Sequence, residues 1–196
     1  MAATITTGQT ASTLPQKRGD PPNLGTVKSG RALAFDGVVD YLDTGSLASN
    51  LIGASTAFTV SVWVYFDTVA GTSYVFGTTD GSSKRFYLKN VAGQLQWGYG
   101  NEYSTNALVI AVAGVWQHIV LTSDVTNQTV YIDGKLKYTE AGGSDGAISD
   151  ADNIAIGALN ADGSVSGYLD CKMSNFQIWN AAWSEADVQY AYTHPE

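Results

Sequence analysis

Apolar and polar residues alternate along most of this chain, and the alternation predicts short β-strands. The clearest run is FTVSVWVYF at 58–66, where valine and phenylalanine occupy one parity and threonine, serine, tryptophan and tyrosine the other. Successive side chains of a strand point to opposite faces of the sheet, so one face of this strand belongs to a core. The other face carries enough aromatic area that we expect it to be covered too, as in the inner sheet of a layered sandwich.

The stretch from Gly114 to Glu140 predicts two long strands and a tight hairpin. Trp116 and His118 share one parity of the first strand, and the dipeptide Asp133-Gly134 separates two further alternating runs. A two-residue Asp-Gly loop is typical of a type I′ turn, which needs positive φ at both central residues. We interpret these strands as the scaffold of the domain rather than as its site.

The rest of the body predicts more strands and one helix. Further strands are expected at 74–78, 84–90, 94–99, 107–112, 153–157 and 167–180. Ser184 followed by Asp187 resembles a capping box and starts a short helix, in which Val188 and either Ala191 or Tyr192 face inward. About a dozen short strands with one terminal helix predict an all-β fold, a two-sheet sandwich or jelly roll.

Composition and charge exclude some partners. The chain has 196 residues, of which 44% are hydrophobic, so one sizeable core is expected. It carries 10 basic and 18 acidic residues, a net charge of −8. Nucleic acids and anionic membranes favour basic surfaces, so we expect neither as a partner. No secretory signal is evident in residues 1–14, and no apolar stretch is long enough to span a membrane.

Residues 1–30 differ from the body. They are polar, hold three of the four prolines, and carry Lys17, Arg18 and Lys28 against Asp20. The body, 31–196, keeps 7 basic and 17 acidic residues. We predict two units, an extended N-terminal assembly arm at 1–30 and a β-sandwich at 31–196. The arm is expected to dock on an acidic surface, either of its own body or of a neighbouring subunit.

The chain offers no arrangement that predicts catalysis, so we expect a protein that is not an enzyme and has no catalytic residues. Its four glutamates, Glu102, Glu140, Glu185 and Glu196, do not form the spaced pair of carboxylates that glycoside hydrolysis needs. The two histidines, His118 and His194, are far apart in the sequence, and His118 is expected to pack in a strand. The single Cys171 excludes an internal disulfide and is expected to be a small buried residue.

Aromatic residues supply candidate carbohydrate contacts. Trp97, Tyr99 and Tyr103 recur near the end of one predicted strand, and Tyr74 and Tyr87 lie on earlier strands. An aromatic face suits the apolar face of a pyranose ring. The alternative is that these rings belong to the core or to a subunit contact.

Several segments, in order, resemble the laminin-G-like, concanavalin A-like family of jelly rolls. The matching stretches are ALAFDGVVDYLDTG near 33–45, FTVSVWVYF at 58–66, GVWQHIVLTSD at 114–124, VYIDGK at 130–135, IAIGAL at 154–159 and MSNFQIWNAAWSEADV at 173–188. The resemblance covers 31–196 and implies a concanavalin A-like two-sheet jelly-roll β-sandwich. The family includes carbohydrate-binding and adhesion modules and parts of phage and viral particles, so fold alone leaves the function open.

The resemblance also implies a structural Ca²⁺ site. Asp36, the Gly37 carbonyl and Asp40 match the first half of such a site. In the second half, Ser174 and Asn175 stand where an acidic residue is common, and Asp170 is the candidate to compensate. The alternative is that Asp36-Gly37 only shapes a turn. A calcium interpretation of Asp150, Asp152 and Asp162 is less favoured than a solvated acidic loop.

Two functions remain at this stage. The first is a non-catalytic virion structural protein, a phage capsid-decoration or tail-associated subunit that joins other virion proteins, forms a homo-oligomer and can also bind host glycans. The alternative is a secreted or surface carbohydrate-binding or adhesion module. The corresponding localisations are the virion and the extracellular space or cell surface.

Overall fold

The computed structural model describes residues 32–52, 57–80, 85–100, 102–104, 109–124, 126–141 and 153–195, with the backbone alone for 102–104. These residues form fourteen strands and two helices. The elements are β1 (Leu33–Asp36), β2 (Leu42–Leu47), α1 (Ala48–Ile52), β3 (Ala57–Phe66), β4 (Thr72–Thr79), β5 (Arg85–Val91), β6 (Gln94–Gly100), β7 (Glu102–Ser104), β8 (Trp116–Asp124), β9 (Asn127–Ile132), β10 (Lys135–Ala141), β11 (Asn153–Ile156), β12 (Leu159–Ala161), β13 (Ser164–Ser166), β14 (Asp170–Trp179) and α2 (Glu185–Thr193).

The strands form two sheets that pack face to face. Sheet 1 has six strands in the order β1-β14-β3-β8-β9-β10. Sheet 2 has eight, in the order β13-β12-β4-β5-β6-β7, with β11 against β4 and β2 against β11. The late strand β14 lies between β1 and β3 and is antiparallel to both. The predicted all-β, two-sheet sandwich is confirmed, and the short C-terminal helix is present.

The core lies between the two inner faces, as strand alternation dictates. The side chains of this core come from one parity of each central strand: Phe58, Val60, Val62, Val64 and Phe66 of β3, Phe86 and Leu88 of β5, Leu95, Trp97 and Tyr99 of β6, and Ile119 and Leu121 of β8. Burying one such side chain contributes about 1.5–3 kcal/mol, which is why these positions hold strand-forming apolar residues.

The predicted hairpin of the scaffold is confirmed. Asp133 and Gly134 have φ of 53° and 71°, so both central residues are left-handed, as a type I′ turn requires. The turn is also tied to the neighbouring strand, because Asp133 Oδ1 accepts a hydrogen bond of 2.9 Å from the backbone N–H of His118. Asp133 therefore sets the turn and holds the register of β8 and β9 at the same end.

The predicted capping box is confirmed at the start of α2. The Ser184 hydroxyl accepts from the Asp187 N–H, and the Asp187 carboxylate accepts from the Ser184 N–H at 2.9 Å. These bonds satisfy backbone donors that the first turn leaves unpaired and fix where the helix begins. Val188 is buried, as predicted.

The strand predicted at 107–112 is wrong over its described part. Residues 109–115 form a loop with two isolated bridges, Gln94 to Ile110 and Phe66 to Ala113. Backbone hydrogen bonds join the loop to the start of β6, from Leu95 N–H to the Val109 carbonyl and from Ala111 N–H to the Gly93 carbonyl. A side chain adds to them: Gln117 Oε1 accepts from Val112 N–H at 2.7 Å, and Gln117 Nε2 donates to the Ile110 carbonyl at 3.2 Å. Alternation misleads here because Val109 and Ala111 are buried in the core although the backbone that carries them is a loop.

Candidate functional site

The outer face of sheet 1 is covered by the C-terminal segment. The rings of Trp63 and His118 stack at 5.1 Å between centroids, and Tyr192 of α2 stacks on Trp63 at 5.7 Å. Beside them, Val188 and Trp183 pack on Val120 and Tyr131. The expectation that both faces of β3 are covered is confirmed for Thr59, Ser61 and Trp63, which are buried, while Tyr65 near the end of the strand is half-buried.

The outer face of sheet 2 is built from the opposite parity of β5. Phe86 and Leu88 point into the core, so Arg85, Tyr87 and Lys89 share the outer face. Register places Gly77 of β4 and Gly98 of β6 on either side of Tyr87. Arg85, Tyr87 and Lys89 therefore follow one another along the outer side of β5, where Tyr87 is 9% exposed and the two basic side chains are half-buried.

The two glycines let Tyr87 lie low across the neighbouring strand. A Cβ at Gly98 would meet Tyr87 Cζ and Arg85 Cδ at 2.8 Å, closer than such atoms approach. A Cβ at Gly77 would meet Leu159 Cδ1 at 2.8 Å and Tyr87 Cβ at 3.1 Å. Any larger residue at Gly98 would lift or displace the Tyr87 ring. We call the surface formed by Tyr74, Arg85, Tyr87, Lys89 and Gly98 the open face.

Tyr74 completes the aromatic part of the open face. Its ring meets Tyr87 edge-on, with centroids 5.6 Å apart and planes at 88°. The backbone is fixed by a 2.9 Å hydrogen bond from Tyr74 N–H to the Gly167 carbonyl. Partial burial raises the pKa of the Tyr74 hydroxyl, which therefore stays protonated and able to donate a hydrogen bond at neutral pH.

Lys89 brings a positive charge onto these rings. Its Nζ lies 5.2 Å from the Tyr87 centroid and 5.9 Å from that of Tyr74, within the range of cation–π attraction. Partial burial, followed by the nearby positive charge of Arg85, lowers the pKa of Lys89. Among the described residues, no carboxylate lies within 4 Å of this ammonium group.

The chemistry of the open face suits binding rather than bond cleavage. It offers ring surface, a phenol donor and cations. The described nucleophile candidates lie elsewhere: Cys171 is buried, and burial raises the pKa of its thiol. His118 is also buried, and desolvation lowers its pKa to about 4. His118 Nε2 lies 2.9 Å from the Ser61 hydroxyl beneath α2, consistent with the packed role expected from the sequence.

The residues predicted to contact carbohydrate lie in two different places, some on the open face and some in the core. Tyr74 lies on the open face, and so does Tyr87, which was considered beside it. Trp97 and Tyr99 are 0% and 1% exposed in the core, so the prediction that they stack on a sugar is wrong. They share their parity with Leu95, and that parity of β6 faces the other sheet. Tyr103 of β7 is the register partner of Gly98, but its side chain lies outside the described part of the chain.

The structure brings together only some of the residues predicted to hold calcium. Asp36 and Asp170 are register partners on β1 and β14, and Gly37 packs so closely that a Cβ there would lie 2.8 Å from Asp170 Cβ. Ser174 instead pairs with Trp63, four residues along β14 and about 13 Å from Asp170. The structure therefore does not bring Ser174 to this corner.

The Asp36 carboxylate is already engaged by the backbone. Its Oδ1 accepts from the N–H groups of Val38, Val39 and Asp40 at 2.8, 3.0 and 3.1 Å. These bonds, Val39 first, lower the pKa of Asp36. The turn-forming alternative thus accounts for Asp36 without a metal. No group of three His, Cys, Asp or Glu side chains suited to a metal occurs among the described residues, and calcium binding stays a prediction.

The arm prediction concerns Lys17, Arg18 and Lys28, which lie outside the described residues. The boundary at residue 30, the docking of the arm and the homo-oligomer stay predictions. Among the described helices, none is long and apolar enough to cross a membrane.

Sequence reasoning missed Arg85 and Lys89, although a signal was present. The run Arg85–Phe86–Tyr87–Leu88–Lys89 alternates strictly, so its polar parity places two cations around a tyrosine. That Gly77 and Gly98 lie beside this tyrosine depends on strand register, which the sequence does not give.

Comparison with known proteins agrees with this architecture. A family model described as the concanavalin A-like lectin/glucanases superfamily matches residues 36–189. No curated protein matches the sequence significantly.

Several solved structures share the fold. The CBM40 module of the Ruminococcus gnavus IT-sialidase, bound to α2,3-sialyllactose, matches with a TM-score of 0.68 and 14% identity over 86% of this chain and 100% of that one. The NanB sialidase of Streptococcus pneumoniae matches with a TM-score of 0.68 and 16% identity, but this chain spans only 26% of it. A pentraxin of Limulus polyphemus matches with a TM-score of 0.59, 16% identity and coverages of 81% and 80%.

Proposed function

Because this chain belongs to the concanavalin A-like lectin/glucanase superfamily, we propose that it is a non-catalytic carbohydrate-binding domain whose ligand lies on the open face. The observation that carries the proposal is the pair Tyr74 and Tyr87 on the outer side of sheet 2: the half-buried Tyr74 presents part of its ring, and the 9% exposed Tyr87 holds it edge-on from below. Aromatic rings beside a shallow surface suit the apolar face of a pyranose, and polar groups around them fix its orientation.

The comparisons support the class of ligand and the absence of catalysis. This chain covers the whole of the CBM40 chain, and that module is bound to α2,3-sialyllactose. The sialidase match covers about a quarter of the larger chain, so it lends no activity to this protein. An extracellular or cell-surface location goes with this proposal.

The virion role is the less supported alternative. It rests on the arm at 1–30, on which neither the described structure nor the comparisons bear. No described contact favours a capsid or tail partner over a glycan.

The first test is saccharide binding by single-residue variants on a glycan array, followed by calorimetry on the ligands found. Tyr74→Ala should weaken binding about tenfold, the upper range for one aromatic contact. Tyr74→Phe should retain most of the affinity because it keeps the ring. Both variants should fold, since Tyr74 is only half-buried.

Trp179→Ala is the matched control. Trp179 is 37% exposed and contacts Trp183 on the sheet 1 side of the molecule, so it offers an exposed ring outside the open face. It should leave affinity unchanged. Loss of binding in Trp179→Ala with full binding in Tyr74→Ala would move the site to the tryptophan pair, and a wild-type chain that binds no saccharide would overturn the proposal.

A further inference from the structure

The tryptophan pair, Trp179 and Trp183, forms an exposed ring surface that hydrogen bonds hold in place. The two ring centroids lie 5.7 Å apart, and the ring planes are tilted by 55°. The Trp179 indole N–H donates to Gln177 Oε1 at 3.1 Å, and the backbone N–H of Trp183 donates to the Thr59 hydroxyl at 2.9 Å. Trp179 is 37% exposed, so the pair offers an apolar surface that a partner would not have to order.

Acidic side chains follow the tryptophan pair directly. Glu185 and Asp187 are exposed in the first turn of α2, where Asp187 caps the helix and Glu185 accepts a hydrogen bond of 3.1 Å from Gln189. Among the residues that the structure describes, neither carboxylate has a cationic side chain within 4 Å. Apolar surface therefore adjoins negative charge, and this combination fits a partner that presents apolar groups beside cations.

The segment 17–22 of the arm has that composition. Lys17 and Arg18 precede Pro21 and Pro22, and Asp20 is the one acidic residue between them. Proline fixes φ near −65°, so consecutive prolines favour a polyproline II conformation and have little conformational freedom left to lose on docking. Grooves lined by aromatic rings bind such segments in many protein complexes.

The topology leads the arm toward this surface. β1 is antiparallel to β14, with Leu33 opposite Met173, so the chain enters β1 from the side toward which β14 runs on to Trp179. At the spacing of residues in a strand, Met173 and Trp179 are about 20 Å apart. The chain from Pro22 to Leu33 can span up to about 36 Å when extended. The arm is therefore long enough to reach the tryptophan pair of its own body.

We propose that segment 17–22 docks on the body of its own chain, with the two prolines on the tryptophan pair and the two cations beside Glu185 and Asp187. The sequence alone leaves the chain's own body and a neighbouring subunit as alternative docking surfaces for the arm. The short connection to β1 keeps the arm at a local concentration in the millimolar range, so a contact too weak to join two separate molecules is sufficient. Arm docking and saccharide binding at the open face are independent properties.

The first measurement is the NMR signal of each tryptophan indole N–H in the full chain. Pro21→Ala combined with Pro22→Ala should shift the signals of Trp179 and Trp183, because the pair loses its ring contact with the arm. The other three tryptophans should keep their signals and thereby report that the body is folded. They are Trp63, Trp97 and Trp116.

The second measurement is the initial rate of tryptic cleavage after Lys17 and Arg18, located by mass spectrometry. Cleavage requires an undocked arm, so its rate follows the undocked fraction. Trp179→Ala and the double proline variant should each raise the rate about tenfold over the wild-type chain. Tyr190→Ala is the matched control and should leave it unchanged, because Tyr190 is also 37% exposed but stacks on His194 at the other end of α2.

Each outcome bears on a separate part of the proposal. Unmoved Trp179 and Trp183 signals in the double proline variant would overturn docking on the tryptophan pair. Equal acceleration in Tyr190→Ala would show a general loosening of α2 and would overturn the assigned surface. Protection that increases with protein concentration would show that the arm of a neighbouring copy occupies the pair, which overturns docking within one chain. A chain whose arm docks but which binds no saccharide would overturn only the proposed function.

Discussion

The two outer faces of this sandwich carry similar residues and use them differently. On sheet 1, Trp63 and His118 are stacked beneath Tyr192 of α2. On sheet 2, Tyr74 and Tyr87 meet edge-on and pack over the backbone of Gly167 and Gly98; Tyr74 is only half-buried, whereas Tyr87 is 9% exposed. Aromatic rings on a strand surface therefore do not by themselves indicate a binding site. A ligand can reach such a ring only where no other part of the protein covers it.

The difference also separates stability from recognition. A ring that is packed between a strand and a helix contributes to folding through buried area. Tyr74, which is only half-buried, gives up part of that contribution and keeps part of its ring for a ligand. Substitutions on the two faces should therefore change different measurements, and variants at Trp63, His118 and Gly98 test this difference.

The largest effect is expected from Trp63→Ala on the covered face. Trp63 is 8% exposed and contacts both His118 and Tyr192, so truncation should lower the free energy of unfolding by about 3–5 kcal/mol. Urea denaturation measures the loss. Saccharide affinity of the remaining folded protein should be unchanged. A loss below about 1 kcal/mol would mean that the covered face is not structural and would remove the contrast.

The next effect is a pH dependence that belongs to the covered face. Burial lowers the pKa of His118 from 6.5 to about 4, so between these values the unfolded chain takes up a proton that the folded chain cannot. Stability is complete above pH 6.5 and falls by about 1.4 kcal/mol per pH unit toward pH 4, for a total of about 3 kcal/mol. The groups that face His118 are the Trp63 and Tyr192 rings and the Ser61 hydroxyl.

His118→Gln should flatten the stability profile between pH 6.5 and 4, measured by urea denaturation at each pH. The carboxylates with lowered pKa, Asp36, Asp124 and Asp187, contribute at lower pH and remain in both proteins. His194→Gln, at the exposed C-terminal end of α2, is the control and should keep the slope. An unchanged slope in His118→Gln would show that the ring is hydrated.

The smallest effect on stability is expected from Gly98→Ala on the open face. Its φ is not left-handed, so the cost is steric: the new Cβ meets Tyr87 and Arg85 at 2.8 Å. Stability should fall by about 1–3 kcal/mol, and saccharide affinity should fall as Tyr87 is displaced. In the double variant with Tyr87→Ala the stability cost should be less than additive. Full additivity would mean that Tyr87 does not lie over Gly98.

Prediction from the sequence was most successful where one short segment contains all the residues that specify a local structure. Asp133-Gly134 specifies its own turn, and Ser184 with Asp187 specifies the start of α2. Prediction failed where the structure depends on residues of other strands that are far away in the sequence. Trp97 and Tyr99 were assigned to a surface although they share parity with Leu95, because the sequence does not say which parity of β6 meets the other sheet. The open face needs the register of β4, β5 and β6, which only the assembled sheet provides.

The position of β14 has a consequence for how the chain is made. Because residues 170–179 occupy the slot between β1 and β3, sheet 1 stays divided until this segment has left the ribosome. Until then β3 presents an unpaired edge rich in valine, the kind of edge that recruits strands from other chains. Completion of the sheet is thus a late event in synthesis, and it joins segments more than a hundred residues apart in the sequence, a topology associated with slow folding. A nascent chain that stalls before Asp170 is the form of this protein most exposed to aggregation and most dependent on chaperones.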